Sequence, residues 1–234
     1  MLQKKVGILP EWDLTDLYDA PDNKKFSADM EQLKEMVHEF EKEFKNAILI
    51  QDAPVSDNAK RLKKSIVAYE NIANVMGRLS GFATLHHVTA TNDPVRTKFY
   101  GDTQVKITEI SNKIIFFELE LNNLSNEILE KLLNDKVLSS YRTWFENIRK
   151  YKPHQLSDEV EQIFHDKSVT SFSAWNRLFD QTMSNMKVDI DGDSKSLEEA
   201  LNYLLSSQEK DRKNAFLSVT SKLKENISLF THIM

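Results

Sequence analysis

The stretch Phe26–Phe44, FSADMEQLKEMVHEFEKEF, carries the pattern that decides the fold class. Lysine and glutamate fill one face of the helix that this spacing would form, and large apolar residues fill the other. The apolar residues recur at alternating steps of four and three, at Phe26, Met30, Leu33, Val37, Phe40 and Phe44. The stretch therefore predicts an amphipathic α-helix that buries one face in a core.

The segment after Pro54 predicts a second helix, with Ser56 or Asp57 as its N-cap. Gly77 and Gly81 lie four residues apart and remove side-chain bulk from one strip, so we expect another helix to cross closely there. The expected apolar face of this helix consists of Leu62, Ile66, Tyr69, Ala73, Met76, Leu79 and Ala83.

Four further helices are predicted before the first strand. Asp93 followed by Pro94 favours a helix start, because the carboxylate can accept an orphan amide and proline loses no bond at the first position. That helix is expected to run to about residue 121. The other three are expected to begin at Ser125, at Ser139 or Ser140, and at Ser157 after a break at Pro153.

The first strand signal is MKVDIDGDSK at residues 186–195, where Val188 and Ile190 alternate with polar residues. Asp191-Gly192 is typical of a two-residue turn with positive φ, so a small β-hairpin is expected. Ser196 and Glu199 predict a capping box for a helix over 197–205. A last helix is expected from Ser207 or Gln208 to the final residue, with an apolar stripe of Phe216, Val219, Leu223, Ile227, Phe230 and Met234.

Composition excludes several classes of protein. The 234 residues carry a formal charge of −5 with acidic and basic residues interleaved, so no basic cluster for nucleic acid is present. The longest apolar run, Ile114–Leu121, is too short to span a bilayer, and no signal peptide precedes it. With no cysteine, disulfides and thiolate zinc sites are excluded. We expect a cytoplasmic protein with neither a membrane nor a nucleic-acid partner.

Several blocks of sequence resemble one known family in their order and spacing. They are LPEWDLTDLY (residues 9–18), YRTWFENIRKYKPHQL (141–156), KPHQLS (152–157), AWNRLFD (174–180) and DRKNAFLSVTSKLKENISLF (211–230). Together they resemble the N-terminal portion of the oligoendopeptidase F branch of the thimet-type zinc metallopeptidases. Asn176 and Gln181 depart slightly from the family pattern.

The resemblance implies a mainly α fold, the multi-helical N-terminal region of a thimet-type zincin with one small β-hairpin near residues 186–195. Residues 1–185 would form the helical N-terminal region. Residues 186–234 would begin the metallopeptidase catalytic domain and stop before its zinc motif. The matching motif residues are expected to be structural: Trp12, Asp13, Leu14, Tyr18, Pro153, His154, Trp175, Arg177, Leu178 and Phe179.

Family members are similar to other zincins in using HExxH, where two histidines one helical turn apart bind zinc and the glutamate activates water. The histidines here are His38, His86, His87, His154, His165 and His232, and no two are four residues apart. The inverted motif HxxEH is absent for the same reason. We therefore predict no catalytic, metal-binding or cofactor-binding residues in these 234 positions, with zinc implied only for the full-length family enzyme.

Other candidate residues favour plain structural interpretations. His86 and His87 point about 100° apart on a helix, so a capping or surface role is favoured over joint metal binding. His154 is expected to anchor a loop, and Trp12, Trp144 and Trp175 are expected to anchor a core rather than line a peptide groove. The acidic hairpin partly imitates a calcium loop, but Lys187 occupies its first ligand position.

The sequence thus predicts the N-terminal, by itself non-catalytic, portion of a zinc-dependent oligoendopeptidase, a portion that shapes a channel for short peptides. A separate catalytic half bearing HExxH is a possible partner and is expected to dock on the apolar stripe of the helix 208–234. The alternatives are a helical peptide- or protein-binding scaffold module and a decayed remnant without activity.

Overall fold

The computed structural model describes residues 12–233. In that range, one two-stranded sheet accompanies eleven α-helices, which confirms the mainly α fold. The helices are α1 Lys24–Phe44, α2 Val55–Val88, α3 Pro94–Ser111, α4 Ile115–Asn123, α5 Asn126–Leu133, α6 Arg142–Arg149, α7 Asp158–Ser168, α8 Phe172–Asn185, α9 Leu197–Asn202, α10 Glu209–Glu225 and α11 Ile227–Ile233. The strands are β1 Lys187–Ile190 and β2 Asp193–Ser196. Within 12–233, no helix is both long and apolar enough to cross a membrane.

The chain forms two compact units. Among the described residues, the first combines 12–89 with Phe99–Asp166, and the second combines Ala90–Lys98 with 167–233. Each unit has a hydrophobic core of its own. The expected functional division at residue 185 stays a prediction, since compactness alone does not define a catalytic domain.

The core of the first unit is built on α1, and all six residues of its predicted stripe are buried. They pack with α2 residues such as Leu62 and Ile66 and with Phe117 of α4. The Phe40 and Phe117 rings meet edge to face with centroids 5.1 Å apart, a favoured aromatic geometry. The amphipathic pattern of α1 is therefore confirmed, together with its role in the core.

Three expectations for α2 are wrong. Its N-cap is Pro54, so Ser56 and Asp57 lie inside the first turn, and Ala73 is exposed. A Cβ atom placed on Gly77 or Gly81 would meet no other described residue within 4 Å, so no helix crosses there. In this part of α2 the buried residues are instead Ile72, Val75 and Leu79.

Eight described helices, α1 to α8, precede the hairpin, where the sequence predicted six. Asp93 Oδ1 accepts the backbone N–H groups of Val95 (2.8 Å) and Arg96 (3.2 Å), which confirms the predicted helix start. A 3-10 segment at Asn112–Ile114 divides the expected long helix into α3 and α4. A second break precedes α8, where Ser171 has φ −107° and ψ −100°, outside helical values.

The hairpin of the second unit follows the sequence prediction closely. Asp191 (φ 54°) and Gly192 (φ 90°) both have positive φ, as its two-residue turn requires. Val188 and Ile190 are buried with Ala215 and Val219 of α10. Ser196 and Glu199 form the predicted capping box of α9.

The predicted last helix is not continuous. It ends at Glu225, Asn226 interrupts it, and α11 follows. Its apolar stripe is also divided, because Val219 is buried against the hairpin whereas Phe216 and Ile227 are each 60% exposed. Met234, the last member of the predicted stripe, lies outside the described residues.

Arg149 joins the end of α6 to the end of α4. Its Nη1 donates to the carbonyl of Asn122 at 2.7 Å, and its Nη2 donates to the carbonyl of Leu124 at 2.6 Å. A cation at the C-terminal end of a helix satisfies carbonyls that have no partner within the helix. Burial lowers the pKa of this guanidinium, which stays charged at neutral pH.

We expect Gly77→Ala and Gly81→Ala each to raise the free energy of unfolding by about 0.5–1 kcal/mol, because alanine favours helix and meets open space here. Urea unfolding of each variant measures this. Gly192→Ala is the matched control: it is expected to lose about 1 kcal/mol or more, because the turn needs positive φ. A loss of stability at Gly77 or Gly81 would show that something packs against that strip.

We expect Arg149→Met to lower the free energy of unfolding by about 2–3 kcal/mol, because two charge-assisted hydrogen bonds to main-chain carbonyls are lost. The control is Arg142→Met on the same helix. Arg142 contacts the exposed carboxylate of Glu130 at 3.0 Å, and its loss is expected to cost less than about 1 kcal/mol. Equal losses in the two variants would contradict a capping role for Arg149.

Candidate functional site

The first group of family-motif residues leads into α1. Tyr18 is buried, and its hydroxyl donates to Asp29 Oδ2 at 2.8 Å, while Arg78 Nη2 approaches the same oxygen at 3.2 Å. Burial raises the pKa of the Tyr18 phenol, and the bond to Asp29 raises it further. The backbone N–H of Tyr18 donates to the carbonyl of Leu14, which packs on the core. Tyr18 therefore anchors this segment to α1 and α2.

The neighbouring motif residues lie nearer the surface. Asp13 Oδ1 accepts both the backbone N–H and the hydroxyl of Thr15, and these bonds lower the pKa of the Asp13 carboxyl. Trp12 is 64% exposed, so the expectation that it anchors a core is wrong. Residues 9–11 of the same motif lie outside the described residues.

Pro153 and His154 lie in the 3-10 turn Lys152–His154 between α6 and α7. Both are exposed, and the backbone N–H of His154 donates to the carbonyl of Tyr151 at 2.9 Å. The break predicted at Pro153 is thus confirmed. The loop-anchoring role expected for the His154 side chain stays a prediction.

The third group of motif residues lies on α8, where Phe172, Trp175 and Phe179 recur at steps of three and four. They are 73%, 45% and 41% exposed, and we call them the aromatic face. Trp175 is therefore not the predicted core anchor, whereas Trp144 is half-buried against the core of the first unit. Three large aromatic residues on one exposed helix face are unusual for a surface that meets only water.

Arg177 and Leu178, the remaining motif residues, are half-buried on α8. The Arg177 Nη1 atom is buried and has no hydrogen-bond partner among the described residues. Burying a guanidinium nitrogen without an acceptor costs free energy. Arg177 Nη1 could therefore donate to an acceptor that lies outside the described residues.

Within the first unit, a groove lies between α2, the junction of α3 and α4, and α7. We call it the α7 groove; its cavity volume is about 370 Å³. Five apolar and five polar residues line it: Met76, Ile114, Ile115, Leu119 and Phe164, with Tyr69, Ser111, Glu118, Glu161 and His165. An apolar pocket with a few polar groups is typical of a ligand-binding site.

Hydrogen bonds fix the polar side of the groove. Tyr69 donates its hydroxyl to Glu118 Oε1 at 3.0 Å, and burial followed by the Glu118 charge raises the pKa of Tyr69. The Tyr69 phenol therefore stays protonated at neutral pH. Glu161 Oε1 accepts the backbone N–H of Leu156 at 2.9 Å. Each of the two glutamates is thus held at the groove by a hydrogen bond that one of its carboxylate oxygens accepts.

Ser111 Oγ lies 2.8 Å from His165 Nε2, the spacing of a hydroxyl and a potential base. The same hydroxyl also lies 3.2 Å from the carbonyl of Thr108 in its own helix, which can accept the serine proton in place of the imidazole. Ser111 is also only 9% exposed, which restricts attack on a substrate. This pair fits a positioned binding surface better than a nucleophile.

The remaining histidine prediction needs one correction. His87 is buried and its ring stacks on Tyr100, with centroids 4.9 Å apart and planes 7° apart, so a surface role is wrong. Across residues 12–233, no three His, Asp or Glu side chains form a group that could hold a metal ion. The residues described here therefore do not fit a zinc site of the family type.

Sequence reasoning missed the α7 groove entirely. Its lining comes from helices that are distant in sequence, and the only local signal is the pair Ile163-Phe164 in an otherwise acidic helix. Phe164 is 64% exposed although it is a large aromatic residue. Such a residue inside a charged helix could have been identified as a candidate contact.

Comparisons with known proteins agree with the resemblance. Residues 120–187 match a family model described as Oligopeptidase F. The chain is 24% identical over 239 residues to Oligopeptidase PepF of Bacillus subtilis, covering 93% of this chain and 33% of that protein. It is 22% identical over 180 residues to the Oligoendopeptidase F homolog of Borreliella burgdorferi, covering 76% and 30%.

The fold is similar to the crystal structure of oligoendopeptidase-F from Enterococcus faecium, with a TM-score of 0.74 and 16% identity. This match covers 92% of the present chain and 41% of that chain. The similarity to an N-terminal portion of oligoendopeptidase F is thereby confirmed. The chain spans about a third of the length of the curated relatives that it matches.

Proposed function

We propose that this chain supplies the N-terminal, by itself non-catalytic, portion of a zinc-dependent oligoendopeptidase that hydrolyses short peptides. The observation that carries the proposal is the similarity of 93% of the chain to one third of Oligopeptidase PepF. In this proposal, the helices of the chain shape a channel that admits short, unstructured peptides. The family-motif residues are proposed to support the structure of that region, and for Tyr18 the buried hydrogen bond to Asp29 supports this role.

The catalytic metal is proposed to lie on polypeptide outside these 234 positions. Zinc sites of this type need two imidazoles one helical turn apart, and no two histidines here have that spacing. The described residues also contain no other group that could hold a metal. The remaining polypeptide would therefore have to supply both imidazole ligands of the zinc and the general base.

We further propose that this remaining polypeptide docks on α10 and α11 of the second unit, the two helices into which the predicted last helix is divided. Phe216, Leu217 and Ile227 of this region are 60%, 55% and 60% exposed. Covering apolar surface stabilises an association by about 25 cal/mol per Å². The aromatic face of α8 belongs to the same unit and would extend the docking surface.

A second candidate function is a helical module that binds peptides without a catalytic portion. The α7 groove favours it, because this groove belongs to the first unit alone and combines an apolar lining with placed polar groups. For either function we propose a cytoplasmic location, which fits the absence of cysteine from the sequence.

The purified chain is expected to show no chelator-sensitive hydrolysis of an internally quenched peptide, even with added zinc. Joined or mixed with a polypeptide of the same family that carries HExxH, it is expected to restore hydrolysis that a chelator abolishes. The physical reason is that the imidazole pair arrives with the second polypeptide.

The control is the same combination with glutamine in place of the glutamate of HExxH, which removes the general base. Chelator-sensitive hydrolysis by the chain alone would overturn the proposal. So would an inactive combination in which both polypeptides are folded and associated.

For the docking surface, we expect Phe216→Ser with Leu217→Ser to weaken association with the catalytic polypeptide by about tenfold or more, because buried apolar area is lost. Analytical ultracentrifugation of the mixture measures the change. Leu205→Ser is the matched control, since Leu205 is 85% exposed in the same unit and lies outside α10 and α11. Equal effects of the two changes would place the interface elsewhere.

A further inference from the structure

We propose that the α7 groove is a peptide-binding site that takes one apolar side chain on its floor and an adjacent lysine or arginine side chain at Glu118 and Glu161. The site lies wholly within the first unit. It rests on the second candidate function, the peptide-binding module, and specifies its ligand; it requires no residue of a catalytic polypeptide.

The floor of the groove suits an aliphatic side chain. Met76, Ile114 and Leu119 contribute apolar atoms, and the volume of about 370 Å³ falls in the range of roughly 300–1,000 Å³ that ligand pockets occupy. Phe164 stands at the edge with 64% of its surface exposed. A ligand side chain between Phe164 and the floor would cover apolar surface that now faces water.

The charge of the groove selects a cationic neighbour for that side chain. Its described lining includes two glutamates, Glu118 and Glu161, and no lysine or arginine. Each glutamate uses Oε1 for a bond within the protein, to Tyr69 or to Leu156. A carboxylate has two oxygens and several acceptor sites, so both can still accept a cation.

A bare metal ion does not suit this position. Glu118, Glu161 and His165 all line the groove, but they do not approach one another as a group that could hold a metal. An organic cation on a flexible stem can reach carboxylates that a compact ion cannot bridge. An apolar side chain beside a cationic one on a short chain is the chemistry of a peptide.

The experiment uses three fluorescein-labelled probes and the purified chain. Fluorescein is attached to the N-terminal amine, so that the lysine amine stays free. The probes are fluorescein-Ala-Leu-Lys-Ala-amide, fluorescein-Ala-Leu-Glu-Ala-amide and fluorescein-Ala-Ser-Lys-Ala-amide, with binding measured by fluorescence anisotropy. The first probe is expected to bind saturably and at least about tenfold more tightly than either of the others. Its affinity is expected to fall as salt screens the two carboxylates.

Variants assign the binding to the groove. The double variant Glu118→Gln, Glu161→Gln keeps one acceptor oxygen at each position but removes both charges. It is expected to lower the affinity for the Leu-Lys probe about tenfold and to abolish the preference for this probe over the Leu-Glu probe. Phe164→Ala is expected to weaken every probe that carries leucine. Ile163→Ala is the control: Ile163 is 59% exposed on the same helix and does not line the groove.

Circular dichroism establishes that each variant is folded. The proposal is overturned if the folded wild-type chain shows no saturable binding of the Leu-Lys probe, if the Leu-Glu probe binds as tightly, or if Ile163→Ala weakens binding as much as Phe164→Ala. These results do not depend on the restoration of hydrolysis by a catalytic polypeptide. Failure of the binding test therefore leaves the oligoendopeptidase proposal standing, and failure to restore hydrolysis leaves the peptide-binding proposal standing.

Discussion

The burial of one face of α1 against α2 and α4 is the interaction on which the first unit depends. No cysteine is present to form a disulfide, so apolar packing has to hold these helices together. Phe40 stands at the centre of this packing, with ring contacts to Phe117 at 5.1 Å and to Tyr69 at 6.1 Å. The contact that builds the core therefore also sets Tyr69 beside Glu118, and it creates one side of the α7 groove.

Local signals predicted the elements of this fold well. The Asp93 helix start, the capping box of Ser196 and Glu199, and the Asp191-Gly192 turn all depend on groups within three residues of one another. Expectations failed where the outcome depends on a distant partner. Gly77 and Gly81 have the spacing of a crossing point, yet the sequence cannot reveal whether another helix lies opposite, and none of the described helices does.

The candidate site was less predictable than the fold, for the same physical reason. Tyr69, Glu118 and His165 come from three helices. Neither the two-residue period of a strand nor the 3.6-residue period of a helix relates positions so far apart in sequence. The resemblance identified a family and a set of motif residues, but it did not distinguish the buried Tyr18 from the exposed Trp12. Burial of an aromatic residue depends on what faces it, and composition does not carry that information.

The described part of the second unit leaves several large aromatic residues exposed. Leaving Phe172, Trp175 and Phe216 in water forgoes the stabilisation that their burial would provide, and relatives with about three times the length have further polypeptide available. The function proposed above assigns the zinc-binding histidine pair to that further polypeptide, because no two histidines of the given sequence are four residues apart. Under the function proposed above, these exposed aromatic residues would form one side of a surface that another polypeptide covers.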